Sequence, residues 1–483
     1  MIWRRLGRAF ICIAQLLCWT SFSKTAVADP YHFSDILPGD RAMGMGGAFG
    51  AVADDSSAIY YNPAGLAFAS SSNISASVNA IQFTRREYQK LFNDQDSFFE
   101  KSQDVVPTFT GGVIDLTRFS ETLHGAFNLQ ALTQQSNNQN DIFRRPEIAV
   151  EYFHRSSKSQ NSEILFGTGL GKRFAPNLAF GLSLGGRQTI QDQQTYQDVS
   201  QIITPAGVKL KDAVAANKSL FSTLTVNERA TASALAAELG MGAIWSPQPA
   251  FSIGISGHID ALLQQELSME TDSLSLFHYN DYSLPAASDF ELREGVNNDA
   301  AQSNLDRYTN KTIGRVSSNN SPRILKANTA PGYLDVEEGF ALGRSRMHLS
   351  FAAFPSSRLV LAGDIIWHSS QTEWIGNTAL VTESVINTHL GSEYFFSPTF
   401  FVRTGVFTNK DSRSSNFSPS NTERIDFYGT SFFAGTQTSD TQFSGGLIYQ
   451  YGIGEALKIA GQTKPKPVRE DRLVLGFTAT HGL

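Results

Sequence analysis

Residues 164–186 read ILFGTGLGKRFAPNLAFGLSLGG: two alternating runs separated by a Pro-Asn turn. From Leu178 the even positions are Leu178, Phe180, Leu182 and Leu184, and the odd ones are Ala179, Gly181, Ser183 and Gly185. A period of two is the signature of a strand, and a tight turn between two such runs makes a β-hairpin. One face is wholly apolar and the other is built from the smallest side chains.

The same unit recurs as GMGAIWSPQPAFSIGISGHID (240–260), MHLSFAAFPSSRLVLAGDIIWH (347–368) and HLGSEYFFSPTFFVRTGVF (389–407). Phe251, Ile253, Ile255 and Ile259 face away from Ser252, Gly254, Ser256, His258 and Asp260; Leu359, Leu361, Ile365 and Trp367 face away from Arg358, Asp364 and His368. A soluble β-sandwich also alternates, but its polar face meets water and seldom needs so many glycines. A transmembrane barrel puts lipid against the apolar face and a lined lumen behind it, with short turns at one end and long loops at the other. Turns at Pro176, Pro247, Pro355 and Pro398 are tight, whereas residues 189–238 and 261–345 are long and polar. The sequence therefore predicts an all-β transmembrane antiparallel barrel over 73–483, closed by the strand in the tail DRLVLGFTATHGL, with long outer loops near 189–238 and 261–345. Within the first loop, residues 208–240 are Ala-rich without alternation and predict a helix or helix pair, either an ornament over the mouth or an apolar capture surface.

The chain begins with Arg4, Arg5 and Arg8, an apolar run from Ala9 to Leu17, and Ala26-Val27-Ala28. That order reads as a signal peptide over 1–28, with cleavage before Asp29. Cys12 and Cys18 both lie inside it, so no disulfide is expected. Without it, 35 basic residues face 45 acidic ones, a net of −10, which gives nucleic acid no electrostatic support as a partner. No later stretch holds about 18 uninterrupted apolar residues, so no membrane helix is expected.

Between signal and barrel lies GMGGAFGAVADDSSAIYYNPAGLA (44–67). Phe49 stands where a dinucleotide fingerprint needs its third Gly, and the Lys-Ser/Thr of a P-loop is missing. Asp54 and Asp55 are adjacent, and no calcium-loop spacing follows. The physical reading is compaction. Gly46 and Gly47 let the backbone approach closely, Asp54 and Asp55 cap turns, and Asn62-Pro63-Ala64 restarts the chain as a short turn. Residues 29–72 thus read as a small plug ahead of the first strand. His258, Asp260, Asp364 and His368 fall on inward faces and could resemble a catalytic set, yet no hydrolytic motif accompanies them, and the chain reads as a non-enzyme without cofactor or metal.

Arg41-Ala42-Met43-Gly44-Met45-Gly46-Gly47, Ala53-Asp54-Asp55-Ser56-Ser57-Ala58 and Asn62-Pro63-Ala64-Gly65-Leu66 resemble the N-terminal hatch of FadL-type outer-membrane transporters, a family of long-chain fatty-acid and aromatic-hydrocarbon channels. The resemblance implies a barrel of about 14 strands, an outer-membrane location, a helical outer-loop groove that collects hydrophobic ligand, and release through plug movement or a wall opening. The long polar segment 261–345 departs from the family's pattern, as does Leu483, which stands where such barrels commonly end in Phe and so alters the expected signal to the barrel-assembly machinery. Candidate lumen contacts for a hydrophobic small molecule or fatty acid are Arg187, Phe401, Arg403 and Phe407, with each Arg either holding a headgroup or neutralised by an Asp or Glu. Outer-membrane lipid is the expected partner of the apolar face. Relatives with the same hatch also serve secretion systems, so a structural or secretion-associated barrel is the alternative reading.

Overall fold

The computed structural model describes residues 31–69, 72–92, 96–145, 151–203, 220–279, 314–327, 341–375, 378–417, 423–458 and 464–483. The expected signal peptide at 1–28 lies outside the described residues, as do 208–219 of the expected outer helix.

Among the described residues, seventeen strands follow the plug. Seven lie in the first half: β1 (Asn73–Phe92), β2 (Asp96–Asp115), β3 (Leu123–Arg145), β4 (Glu151–Ala175), β5 (Leu178–Ile203), β6 (Leu220–Gln248) and β7 (Phe251–Tyr279). Then come β8 (Gly314–Ala327), β9 (Ala341–Ser356), β10 (Leu359–His368), β11 (Gln371–Ile375), β12 (Thr378–Thr382), β13 (Val385–Phe395), β14 (Phe400–Asn409), β15 (Glu423–Gln437), β16 (Thr441–Ala456) and β17 (Lys466–Gly482). Fourteen of them form one antiparallel meander, which closes where β1 pairs with β17, from Asn73 opposite Gly482 to Tyr88 opposite Val468. Closure leaves no unpaired edge, the condition for placing strands in hydrocarbon. Strand β8 adds to the outer half of β7, and β11 with β12 forms a separate hairpin.

The alternation sorts as the sequence predicts. Phe180, Leu182, Leu184, Ile255, Leu361 and Ile365 are exposed on the outside, while Ala179, Ser183, Ser252, Ser256, Asp364 and His368 are buried on the inside. Phe119, Phe174, Trp245 and Phe396 stand exposed near the short turns, where a barrel carries an aromatic girdle.

Two expectations are corrected. Residues 220–240 are strand, not helix, because β6 is laddered on both sides, with Ala230 opposite Gln193 of β5 and Met269 of β7. Two continuous ladders override the helix propensity of the alanines. For the same reason much of 189–238 and 261–345 is not loop. Strands β4 to β7 run 25, 26, 29 and 29 residues, whereas about 9–11 suffice to cross a bilayer, so their polar outer halves continue as sheet beyond it.

Candidate functional site: the plug and the lumen wall

The N-terminal segment read as a plug, residues 31–69, lies buried inside the barrel. At the outer end the Tyr31 carbonyl accepts from Ser412 N–H (3.0 Å); at the short-turn end Ala69 leads toward β1. It contains a one-turn helix α1 (Asp40–Gly44), a second, α2 (Ala58–Tyr61), and a 3-10 turn at Pro63–Phe68. Ala48, Phe49, Ala53, Ala58, Ile59 and Leu66 bury against Val113, Ala126, Leu165 and Ala352 of the wall. Leu37 and Met43 bury against Phe407, Phe433 and Ile448.

Charge holds the first half of the plug. Glu393 accepts from Arg403 Nε (2.7 Å) and from Arg41 Nε (2.9 Å). Arg403 Nη1 reaches Asp40 (3.1 Å), which also accepts from Gln442 (2.5 Å), Ser444 (2.8 Å) and Thr478. Arg472 Nη1 donates to Asp35 (2.9 Å), and the Phe49 and Gly50 N–H groups donate to Asp364 Oδ2 (3.1 and 2.9 Å). Burial alone lowers the pKa of the Arg41 guanidinium, but the carboxylates of Glu393 and Asp54 more than offset it and leave the group firmly cationic.

Close approach holds the second half. Asn62 has extended backbone, its Oδ1 accepts from Ala64 N–H (3.1 Å), and its Nδ2 donates to Gly50 O (2.9 Å) and to Ala243 O of the wall (3.3 Å). Asn62-Pro63-Ala64 therefore starts the turn and stitches it to both plug and barrel. Opposite lies Gly181, where a Cβ would overlap the Pro63 carbonyl. Close approach serves the first half as well: Gly46 and Gly47 have φ of 64° and 80°, and a Cβ on Gly405 would overlap the plug backbone at Met45 and Gly46. Gly171, Gly181, Gly254, Gly391 and Gly405 are the inward glycines on which plug backbone lies.

Asp55 Oδ1 accepts from Ser57 N–H (2.7 Å) in the turn ahead of α2, whose N-cap position is Ser57 and carries no side-chain cap bond. Burial pushes its carboxyl up to about 6, with the Ser57 bonds opposing that rise. Asp54 does not cap: Arg41 lies 2.9 Å away and takes its carboxylate.

All four lumen candidates point inward and are buried. Three stand together behind the first half of the plug, with the Arg403 guanidinium 4.2 Å above the Phe401 ring and Phe407 against Leu37 and Met43. Arg187 lies apart, outward of α2, and meets Glu238 (2.7 Å), Glu163 (3.1 Å) and Asp260 (3.1 Å). Both arginines are thus met by carboxylates. Sequence reasoning placed them on the inward face but missed Arg346, which binds Glu238 (2.7 Å) and lies 4.2 Å from the Tyr60 ring centroid. Its alternation with Met347 and Leu349 carries the signal that could have found it.

A partly open cavity of about 30 Å³ lies between this outer cluster and the plug, lined among others by Phe33, Tyr60, Leu132, Arg187, Arg346 and His368. His258, Asp260 and His368 line it too, whereas Asp364, the fourth of the residues that could resemble a catalytic set, lies under Gly50 and outside the lining.

A closed barrel with this plug has the fold of the FadL-type outer-membrane transporters. No family model matches the sequence, and no curated protein matches it. Among solved structures, a Pseudomonas aeruginosa FadL homologue is similar over 95% of this chain and 99% of its own, at 14% identity and a TM-score of 0.50. The Pseudomonas putida toluene transporter TodX is similar over 95% and 100%, at 12% identity and a TM-score of 0.47. The CymD monoaromatic hydrocarbon channel covers 92% and 97%, at 10% identity and a TM-score of 0.45.

Proposed function

We propose that the chain is an outer-membrane channel that takes up hydrophobic compounds and keeps hydrophilic solutes out with its plug. The observation that carries this reading is the filled lumen. A water-filled porin has no use for a segment that spans the lumen and buries Phe49, Ile59 and Leu66 against the wall. Facilitated entry of a poorly soluble compound needs such a seal, because the compound must pass while ions and small polar solutes do not.

On this reading the exported chain contacts outer-membrane lipid through the exposed band of Phe180, Leu182, Ile255 and Leu361, and reaches its place through the barrel-assembly machinery. Gly46, Gly47, Asp54, Asp55, Asn62, Pro63 and Ala64 act as the seal. Phe401, Arg403 and Phe407 lie beneath it, so a ligand meets them only once the plug shifts; Arg187 faces the cavity above and is met first.

The test is flux into liposomes carrying the purified full chain. Labelled toluene and laurate are expected to enter faster than into empty vesicles, with arabinose at background. Arabinose entering at porin-like rates, or neither hydrophobic probe accelerated, overturns the reading.

A further inference from the structure

On the outside of the barrel, the apolar faces of β1 and β17 both end in charge. Along β1, Ile81 and Phe83 give way to Arg85 and Glu87; along β17, Leu475 and Leu473 give way to Asp471 and Arg469. Asn73 to Phe83 is about the 9–11 residues that cross a bilayer, so Arg85 stands where the headgroups of the outer leaflet begin.

At that level two cations face each other. Arg85 of β1 is directly opposite Lys101 of β2, and both are exposed. Like charges directly opposite on a ladder are destabilising. Among the described residues, neither has a carboxylate within ion-pair distance. Asp471, across from Arg85 on its other side, accepts from Tyr449 Oη instead (2.5 Å), and Glu87 stands opposite Arg469. The Arg85 guanidinium lies over the Phe99 ring, 5.0 Å from its centroid, which holds it at the surface beside Lys101. Toward the outer ends of β14 and β15 the chain supplies its own countercharge: Lys410 meets Asp426 (3.2 Å), and Arg424 meets Glu383 (3.8 Å). The β1–β2 face has three cations, Arg85, Lys101 and Arg469, against two carboxylates, Glu87 and Asp471.

From this we infer that the outward face of β1 and β2 binds a lipid whose headgroup is a phosphate monoester, with Arg85 and Lys101 on the phosphate and the acyl chains along Phe83, Leu473 and Leu475. A phosphate monoester carries about −1.5 to −2 at neutral pH and accepts charge-assisted hydrogen bonds from both groups. A phosphoethanolamine headgroup brings its own ammonium to a face already in cation excess, and so relieves it less. A lipid fits better than a free phosphate ion because the apolar band directly below needs cover: Phe83 is 42% and Leu473 38% exposed. The site lies outside the lumen, and the inference goes beyond the channel reading; it asks only that the barrel sit in a membrane.

Native mass spectrometry of the detergent-purified full chain tests it, with dioleoyl phosphatidic acid, dioleoyl phosphatidylethanolamine and inorganic phosphate offered at equal concentration. Phosphatidic acid is expected to be retained about fivefold more than phosphatidylethanolamine, with inorganic phosphate at background. The double variant Arg85→Gln/Lys101→Gln is expected to bring phosphatidic acid down to the phosphatidylethanolamine level, and Lys410→Gln, which removes a cation already paired, to leave it unchanged. Equal retention of the two lipids, inorganic phosphate bound as strongly as phosphatidic acid, an undiminished preference in the double variant, or an equal loss in Lys410→Gln each overturns the inference. Without lipid the double variant is expected to unfold no earlier than the parent, since a repulsive pair has gone. Earlier unfolding would show that the chain itself already satisfies the two cations, and would overturn the inference as well.

Discussion

The two halves of the plug are held to the same barrel by different forces. Residues 35–50 carry Asp35, Asp40 and Arg41, each paired with a buried wall residue of opposite charge. Residues 58–68 carry no charged side chain, and lie on wall glycines by close contact, with polar stitches from the Asn62 amide, Ser256 Oγ to Tyr61 O (2.6 Å), Ser183 Oγ to Ile59 O (3.4 Å) and Arg346 Nη2 to Tyr60 O (3.4 Å). The difference matters for movement. Pulling a guanidinium a short way from a buried carboxylate leaves both uncompensated, and the penalty is steep. Sliding a backbone along glycines forfeits dispersion contacts a little at a time. The second half is thus the one that can yield first, and the first half is the anchor.

The largest effect that would break this contrast is at the anchor. Arg403→Ala leaves Asp40 and Glu393 buried with a partner gone, a change that typically costs about 3–5 kcal/mol. The variant is expected to keep its heat-modifiable barrel but leak small solutes in a swelling assay. A tight seal in that variant would show that charge does not anchor the first half. Next comes Gly181→Val. Its Cβ meets Pro63 backbone, not a movable side chain, and overpacking costs about 1–3 kcal/mol. Protease is expected to reach residues 58–68 in this variant while residues 35–50 stay protected; equal exposure of both halves would erase the distinction between them. Asn62→Ala removes the acceptor for Ala64 N–H, at about 1 kcal/mol, and is expected to raise hydrogen exchange in the Pro63–Phe68 turn alone. The smallest change is Asp54→Ala. With Asp54 43% exposed, its pair with Arg41 is worth at most about 1 kcal/mol, and Arg41 keeps Glu393. Sealing and unfolding should match the parent, and a clear loss would mean that the pair inside the plug matters more than the pairs to the wall.

The barrel was legible where one face meets lipid. Leu178 to Gly185 alternate because hydrocarbon accepts only one of the two faces; Arg358, read as inward beside Asp364 and His368, instead lies exposed in the turn before β10. In the outer parts of β5 and β6 the alternation in the sequence fades, and a run such as Ala230 to Ala237 looks like helix or loop although it is sheet. The plug motif was legible as turns, since Asn62, Pro63 and Asp55 act on neighbours two residues away. Partners far along the chain were not: Arg403 finds Asp40 at a separation of 363 residues, and nothing local to either announces the other. Asp54 went to Arg41 because a cation 13 residues off outcompetes a capping bond.

The seam between β1 and β17 has a consequence for biogenesis. The strand that closes the ring, β17, follows the other thirteen barrel strands in chain order, and the strand it joins, β1, directly follows the plug. Loop-closure entropy for that pairing spans almost the whole chain, so the seam is set to form late. The plug, tethered just before β1, must already lie inside the curling sheet when the seam zips, because a closed ring offers it only the narrow short-turn mouth. Thirteen neighbouring ladders can therefore form while the future interior is still open to one side, and the last ladder fixes barrel and contents together.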